Sequence, residues 1–296
     1  MGRDARRPSR GEGGGITRGV RNTCLTACLV LLSAEAGHAA SIQSEQLVAK
    51  LHAEQAVVAP GATTSVVLHQ KMAAGWHTYW QNPGDSGQAA AVEWTLPKGV
   101  KLVPAAWPAP KRIEYGPLVN YGYKDEAALL FDVTLPADWP VGQPLSLRAE
   151  AEILVCESLC IPHHGALAID IPTGTKNVRD AKLAALFKKA RARLPLPSRW
   201  PISAGVDDNG LAVRLSGPAS DFSNIDRVYL FPLTWGLVAH GAPQRHELNN
   251  SGLTVTVPRG EAALPDEFSG VMTIYDKDGA ARSFKLAGAP LATRKP

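Results

Sequence analysis

Val155-Cys156-Glu157-Ser158-Leu159-Cys160-Ile161-Pro162-His163-His164 holds the two cysteines on which the reading of this chain turns. Just upstream, Leu147, Ala149, Ala151, Ile153 and Val155 share one parity, and Arg148, Glu150 and Glu152 the other. That alternation marks a half-buried strand. Successive side chains point to opposite faces, so Cys156 is expected on the polar face with Arg148, Glu150 and Glu152. Downstream, Leu167, Ile169 and Ile171 alternate with Ala166, Ala168 and Asp170, and Cys160 takes the parity of the second set. The pattern is strand, short connection, strand, with a cysteine at each lip and both expected to face outward. A core staple would instead sit on the apolar face and join residues far apart in sequence.

The flanking sequence from 41 to about 175 reads as all-β. Leu47–Ala53 alternates, and Pro60-Gly61 separates it from a second strand over Thr64–His69. Gly75-Trp76-His77-Thr78-Tyr79-Trp80-Gln81-Asn82-Pro83-Gly84-Asp85-Ser86-Gly87 begins strand-like and ends as a turn. Ala91–Leu96 and Ala127–Leu135 are further strands. Trp107-Pro108-Ala109-Pro110 cannot be a central strand, because proline has no amide to give the ladder. Short strands with turn signals at this spacing point to a sandwich.

The period changes over residues 178–194. Leu183, Leu186, Phe187, Ala190 and Leu194 form an apolar stripe at helical spacing, ringed by Lys182, Lys188, Lys189, Arg191 and Arg193. One amphipathic helix with a solvated basic face is expected, ended by Pro195-Leu196-Pro197 as a stiff linker. Residues 200–290 return to β, clearest at Leu211–Leu215, Val228–Phe231, Leu253–Val257 and Val271–Tyr275, with a hairpin signal at Asp278-Gly279. The expected layout is a leader over 1–40, a cysteine-bearing sandwich over 41–175, a helix and linker over 176–198, and a smaller sandwich over 199–296.

The leader is expected from its chemistry. Arg3, Arg6, Arg7, Arg10, Arg18 and Arg21 form a basic region, Cys24 to Ala34 an apolar run too short to span a bilayer, and Ala36-Gly37-His38-Ala39-Ala40 a small-residue cleavage zone. A cleaved secretory signal places the mature chain in an oxidising compartment. Cleavage removes six basic and three acidic residues, so the net charge falls from +4 to about +1. Nothing in that balance points to nucleic acid. No later stretch has the apolar run of a membrane helix. Two of the four cysteines leave with the leader, so Cys156 and Cys160 remain alone.

Three chemistries compete for that pair. A structural bridge would close so short a loop that the chain-entropy model gives it only about 2 kcal/mol. A redox pair needs an exposed sulfur that a partner thiolate can attack in line. In that reading His163 and His164, if protonated, would stabilise a thiolate and Glu157 would oppose it. Metal binding is the third: Cys156, Cys160 and His163 or His164 are suitable donor types for Cu(I) or Zn(II), though no fourth ligand is visible nearby and the spacing is not a standard zinc pattern. Other signals carry less. Gly84-Asp85-Ser86-Gly87 looks like the nucleophile loop of trypsin-like proteases, but His77 is far too close in sequence, and the tetrapeptide reads as a turn. Trp76, Tyr79 and Trp80 read as core. Asp276-Lys277-Asp278-Gly279 starts like a calcium loop but lacks its closing acid.

Taken together, residues 75–87, Trp107-Pro108-Ala109-Pro110, Tyr121-Gly122-Tyr123 and Val155–Pro162 resemble the periplasmic N-terminal domain of the DsbD/ScsB thiol:disulfide interchange family. The resemblance is strong over roughly 45–172 and weaker, closer to the ScsB branch, over 175–290. It implies an immunoglobulin-like sandwich, hence two such domains joined by the helix and proline-rich linker. It implies that Cys156 and Cys160 are the exchanging pair, with Cys160 forming the mixed disulfide, and that no cofactor is needed. It also implies a mobile cap over the pair, which would be Glu114, Tyr115 and Gly116 with Tyr115 as the aromatic cover. The implied partners are periplasmic thioredoxin-fold proteins. This sequence contains no membrane conduit, so a separate membrane protein is expected to supply electrons, the activity then being that of a protein-disulfide reductase. A copper-related binding module, or a scaffold with a silent bridge, stands as the alternative.

Overall fold

The computed structural model describes residues 40–293, so the leader expected over 1–40 lies outside the described residues apart from Ala40. The first part of the chain forms β1 (Ile42–Gln43), β2 (Leu47–Ala53), β3 (Gln55–Val57), β4 (Thr63–Met72), β5 (His77–Gly84) and β6 (Ala91–Thr95). There follow β7 (Lys101–Ala106), β8 (Lys111–Tyr115), β9 (Leu118–Lys124), β10 (Glu126–Thr134), β11 (Leu145–Cys156) and β12 (Cys160–Ile171). One sheet runs β1-β2-β4-β10-β7; the other runs β12-β11-β5-β9-β8, with β6 also on β11. Between them Leu68, Leu129 and Phe131 meet Trp80, Leu147 and Ile153 in one buried cluster. The alternation read in β11 is real. Leu145, Leu147, Ala149, Ala151, Ile153 and Val155 are buried, and Glu150 on the other face is exposed. Trp107 to Pro110 lies outside any strand, as its prolines require.

The helix is shorter than the span 178–194 over which the period changes. Val178–Arg179 forms β13, paired with β3, and α1 spans only Ala184–Ala192. A strand partner for Val178 therefore claims the start of the span read as helical. Phe187 and Ala190 pack on Val67, Ala128 and Leu130, covering the outer face of β4 and β10. That cover explains why β4 is buried on both faces instead of alternating. The basic residues of α1 are also not simply solvated. Arg191 donates two hydrogen bonds to the Glu54 carboxylate, at 2.9 and 2.6 Å. Lys189 and Arg193 both reach Glu126, Arg193 at 2.9 Å.

The rest of the chain is β14 (Leu196–Pro197), β15 (Ile202–Asp207), β16 (Gly210–Ser216), β17 (Ile225–Pro232), β18 (Arg245–Asn249), β19 (Gly252–Val257), β20 (Glu267–Asp276) and β21 (Ala281–Thr293). The proline segment, expected as a stiff linker, also pairs with this sheet, since β14 lies parallel on β21. The order is β17-β20-β21-β15-β16-β19-β18. Strand β21 joins two limbs: residues 281–290 run antiparallel beside β20, and its end pairs parallel with β15. Val213, Leu215 and Val255 of one limb share a core with Leu230, Met272 and Ile274 of the other.

The two cores meet through aromatic contacts. Phe231 stands edge-on to Tyr121 at 4.9 Å and to Trp80 at 6.3 Å between ring centroids. Polar contacts surround this joint. Asn82 Nδ2 donates to Pro232 O at 2.8 Å, and Trp235 Nε1 to Gly84 O at 2.8 Å.

Candidate functional site

Cys156 ends β11, Cys160 begins β12, and the two are direct cross-strand partners joined by a disulfide with Cα atoms 4.1 Å apart. The turn between them is held by its own side chains. Glu157 accepts hydrogen bonds from the Ser158 amide at 3.0 Å and the Ser158 hydroxyl at 2.9 Å. Leu159 at the tip is 55% exposed.

Parity placed Cys156 correctly on the face of Arg148, Glu150 and Glu152, but the expectation that it is exposed fails. Cys156 is 1% exposed, whereas Cys160 is exposed. The reason is a neighbour that β11 alone does not reveal. At its last residue β11 is bridged by β5, which sets His77 directly opposite Cys156. On the same face, the rings of His77 and Tyr79 meet edge-on at 5.2 Å. The Tyr79 hydroxyl lies 3.8 Å from Cys160 Sγ. A bridged sulfur carries no proton, so the phenol is the donor. Burial, helped by Tyr115, pushes the Tyr79 pKa up to about 12, which keeps that proton in place.

The residues of the expected cap lie on one hairpin. Glu114 and Tyr115 end β8, and Gly116 with Pro117 turns the chain into β9. Tyr115 stands 6.4 Å from His77 between ring centroids, and its hydroxyl donates to Ser158 O at 2.8 Å. Glu114 and Gly116 are exposed at the hairpin tip. The pair is thus walled by His77, Tyr79 and Tyr115.

His163 and His164 are not brought to the sulfurs. They continue β12 opposite Ile153 and Glu152. At about 3.3 Å of rise per residue they lie roughly 10 and 13 Å beyond Cys160. His163 shares the parity of Ile153, and burial, with His164 nearby, lowers its pKa, so it is disposed to stay neutral. Both cysteines are spent in the bridge. Among the described residues no three His, Cys, Asp or Glu side chains are grouped to hold a metal. The set Cys156, Cys160, His163 and His164 therefore does not form a centre, because an extended strand separates its donors. Of the thiolate-tuning set only Glu157 sits at the pair. The residues the sequence reading missed are His77 and Tyr79. Their signal was the alternation of the strand 77–80, which puts them on one face, but only the pairing of β5 with β11 brings that face to the cysteines.

The Gly84-Asp85-Ser86-Gly87 loop supports this wall. Gly87 has φ of +94°, and a Cβ there would strike the Tyr79 ring. Asp85 Oδ2 accepts from the Val119 amide at 2.7 Å, while Asp85 Oδ1 lies 3.0 Å from His240 Nδ1. Ser86 donates through both its amide and its hydroxyl to Asn120 Oδ1. The turn reading of this tetrapeptide stands, with a joint to the second core added.

Residues 44–170 match the family described as thiol:disulfide interchange protein DsbD, N-terminal. No curated protein matches the sequence. Among solved structures the chain is similar to the N-terminal periplasmic domain of ScsB from Proteus mirabilis, at 17% identity and a TM-score of 0.61. That alignment covers 85% of this chain and 98% of that one, so the shared fold extends into the second core. The yeast GGA1 GAE domain aligns at 13% identity with a TM-score of 0.26, over 45% of this chain and 98% of its own. BcpA, the major pilin subunit of Bacillus cereus, aligns at 10% identity with a TM-score of 0.24, over 84% and 69%. Neither of these two bears on function. Among the described residues no helix is long and apolar enough to cross a membrane. The family model, the sandwich and the bridged pair agree: over residues 44–170 the chain carries a domain of the family described as thiol:disulfide interchange protein DsbD, N-terminal.

Proposed function

We propose that this chain is a periplasmic protein-disulfide reductase that passes two electrons between a separate membrane reductase and thioredoxin-fold proteins through Cys156 and Cys160. The unequal exposure of the two cysteines carries this reading. Disulfide exchange proceeds by in-line attack at one accessible sulfur. Cys160 is exposed at the lip, while Cys156 is 1% exposed beneath β5. Cys160 therefore forms the mixed disulfide and Cys156 resolves it. Tyr115 is the cap that must move aside, and Glu114 and Gly116 flank it. No cofactor takes part. Export by a cleaved leader over 1–40 completes the reading.

The working division is an exchange module over 41–175, a helical connection over 176–198 and a second module over 199–296. The second module braces the cap hairpin. Arg112 of β8 donates to Ala242 O at 3.3 Å and lies 5.2 Å from the centre of the Tyr229 ring. The test is covalent trapping. Cys156→Ala leaves Cys160 free and is expected to accumulate mixed disulfides with periplasmic thioredoxin-fold proteins, whereas Cys160→Ala is expected to form none. Full exchange by Cys160→Ala would contradict the assignment.

A further inference from the structure

We propose that His77 is the base that takes the proton from Cys156 when that cysteine closes the disulfide. This rests on the exchange reading above and assigns the chemistry of its second step.

The placement is specific. His77 is the direct cross-strand partner of Cys156. Such partners share a face, with Cβ atoms about 5 Å apart. The ring contacts locate the imidazole independently, between Tyr79 at 5.2 Å and Tyr115 at 6.4 Å, the same two tyrosines that touch Cys160 and its turn. His77 is 2% exposed, and its Nε2 has no hydrogen-bond partner among the described residues. Folded proteins seldom keep a buried polar atom unpaired without reason. Reduction of the bridge would supply the missing partner, because the Cys156 thiol then carries a proton to donate. Around the ring stand Lys124, its cross-strand partner on β9, and the phenols of Tyr79 and Tyr115. None is a carboxylate that would hold the ring as imidazolium. Burial first, and Lys124 second, lower its pKa. A neutral imidazole is the form a base requires.

The steps balance as follows. In the reduced chain the Cys160 thiolate attacks one sulfur of the partner's disulfide. That bond breaks, the partner's other sulfur leaves as a thiolate, and a Cys160–partner disulfide forms. Cys156 then gives its proton to His77 Nε2 and attacks Cys160 Sγ. The Cys156–Cys160 bond forms as the Cys160–partner bond breaks, and the partner's second sulfur leaves with the electron pair. The imidazolium returns its proton to solvent. Two electrons have moved from the dithiol to the partner.

The experiment follows the reduced full chain reacting with oxidised glutathione, using acid quenching and mass spectrometry to count the glutathione adduct. In wild type the adduct is expected to be transient. In His77→Gln it should form at the wild-type rate and then persist, with closure slowed about a hundredfold or more, the range that general-base removal produces. Closure by the variant should quicken about tenfold per pH unit, following thiol ionisation, where wild type is flat. In His77→Ala, added imidazole should restore closure, which a merely structural role would not allow. Equal closure rates in wild type and His77→Gln, or adduct formation slowed as much as closure, would overturn the role of His77 while leaving exchange intact. A wild-type chain that forms no adduct at all would overturn both the base and the exchange reading.

Discussion

The Tyr115 hydroxyl donates to the carbonyl oxygen of Ser158 at 2.8 Å, tying the tip of one hairpin to the turn of another. This single bond fastens the Tyr115 ring, the proposed cover, to the turn between the cysteines. A hydrogen bond of this kind is worth about 0.5–1.5 kcal/mol net. Tyr115→Phe keeps the ring and removes the fastening. Attack of reduced glutathione on the Cys156–Cys160 bridge is expected to quicken by up to about tenfold, with the thermal midpoint little changed. An unchanged rate would mean that the ring, and not its hydroxyl, governs access.

Arg112 ties that hairpin to the second core. Its guanidinium stacks on Tyr229 and donates to Ala242 O, a contact of about 0.5–1 kcal/mol for the cation–π part alone. Arg112→Ala is expected to raise bridge reactivity in the same direction as Tyr115→Phe, although its own side chain touches neither cysteine. Lys in its place should recover only part of the effect, because an ammonium cannot stack as a guanidinium does. Identical glutathione kinetics in wild type and Arg112→Ala would show that the second module does not brace the cap.

Acid should weaken this fold from just below pH 6.5. Burial lowers the pKa of His77 and of His69, the latter offset in part by Glu126. The unfolded chain then binds more protons than the folded one below the ordinary histidine value. The stability these groups contribute is complete above about 6.5 and is lost as pH falls through their folded values. Urea midpoints measured across this range should decline toward acid, and His77→Gln should flatten part of the decline. A midpoint independent of pH there would contradict the burial of both rings.

Much of this was legible in the residue pattern. The parity of Leu147 to Val155 set the strand, its inner face and the side of Cys156, because a period of two admits only one buried face. The prolines at 108 and 110 excluded a strand for reasons of covalent structure. What the pattern could not show was the neighbour. Cys156 is buried by β5, whose pairing with β11 is a contact across nearly eighty residues of sequence, and no local periodicity encodes it. The same limit hid His77 and Tyr79. It also made His163 and His164 look close to the cysteines, since adjacency in sequence becomes distance along an extended strand. The helix was overextended for a related reason: Val178 lies in the span read as helical but finds a partner in β3.

The central claim is that the Cys156–Cys160 bridge is an exchanging disulfide, and its reduction potential tests that most directly. The full chain would be equilibrated in graded glutathione buffers, alkylated and weighed. The account predicts a midpoint above about −250 mV, in the range of exchange catalysts. A bridge that stays closed below about −300 mV would be a structural staple, and the account would fall.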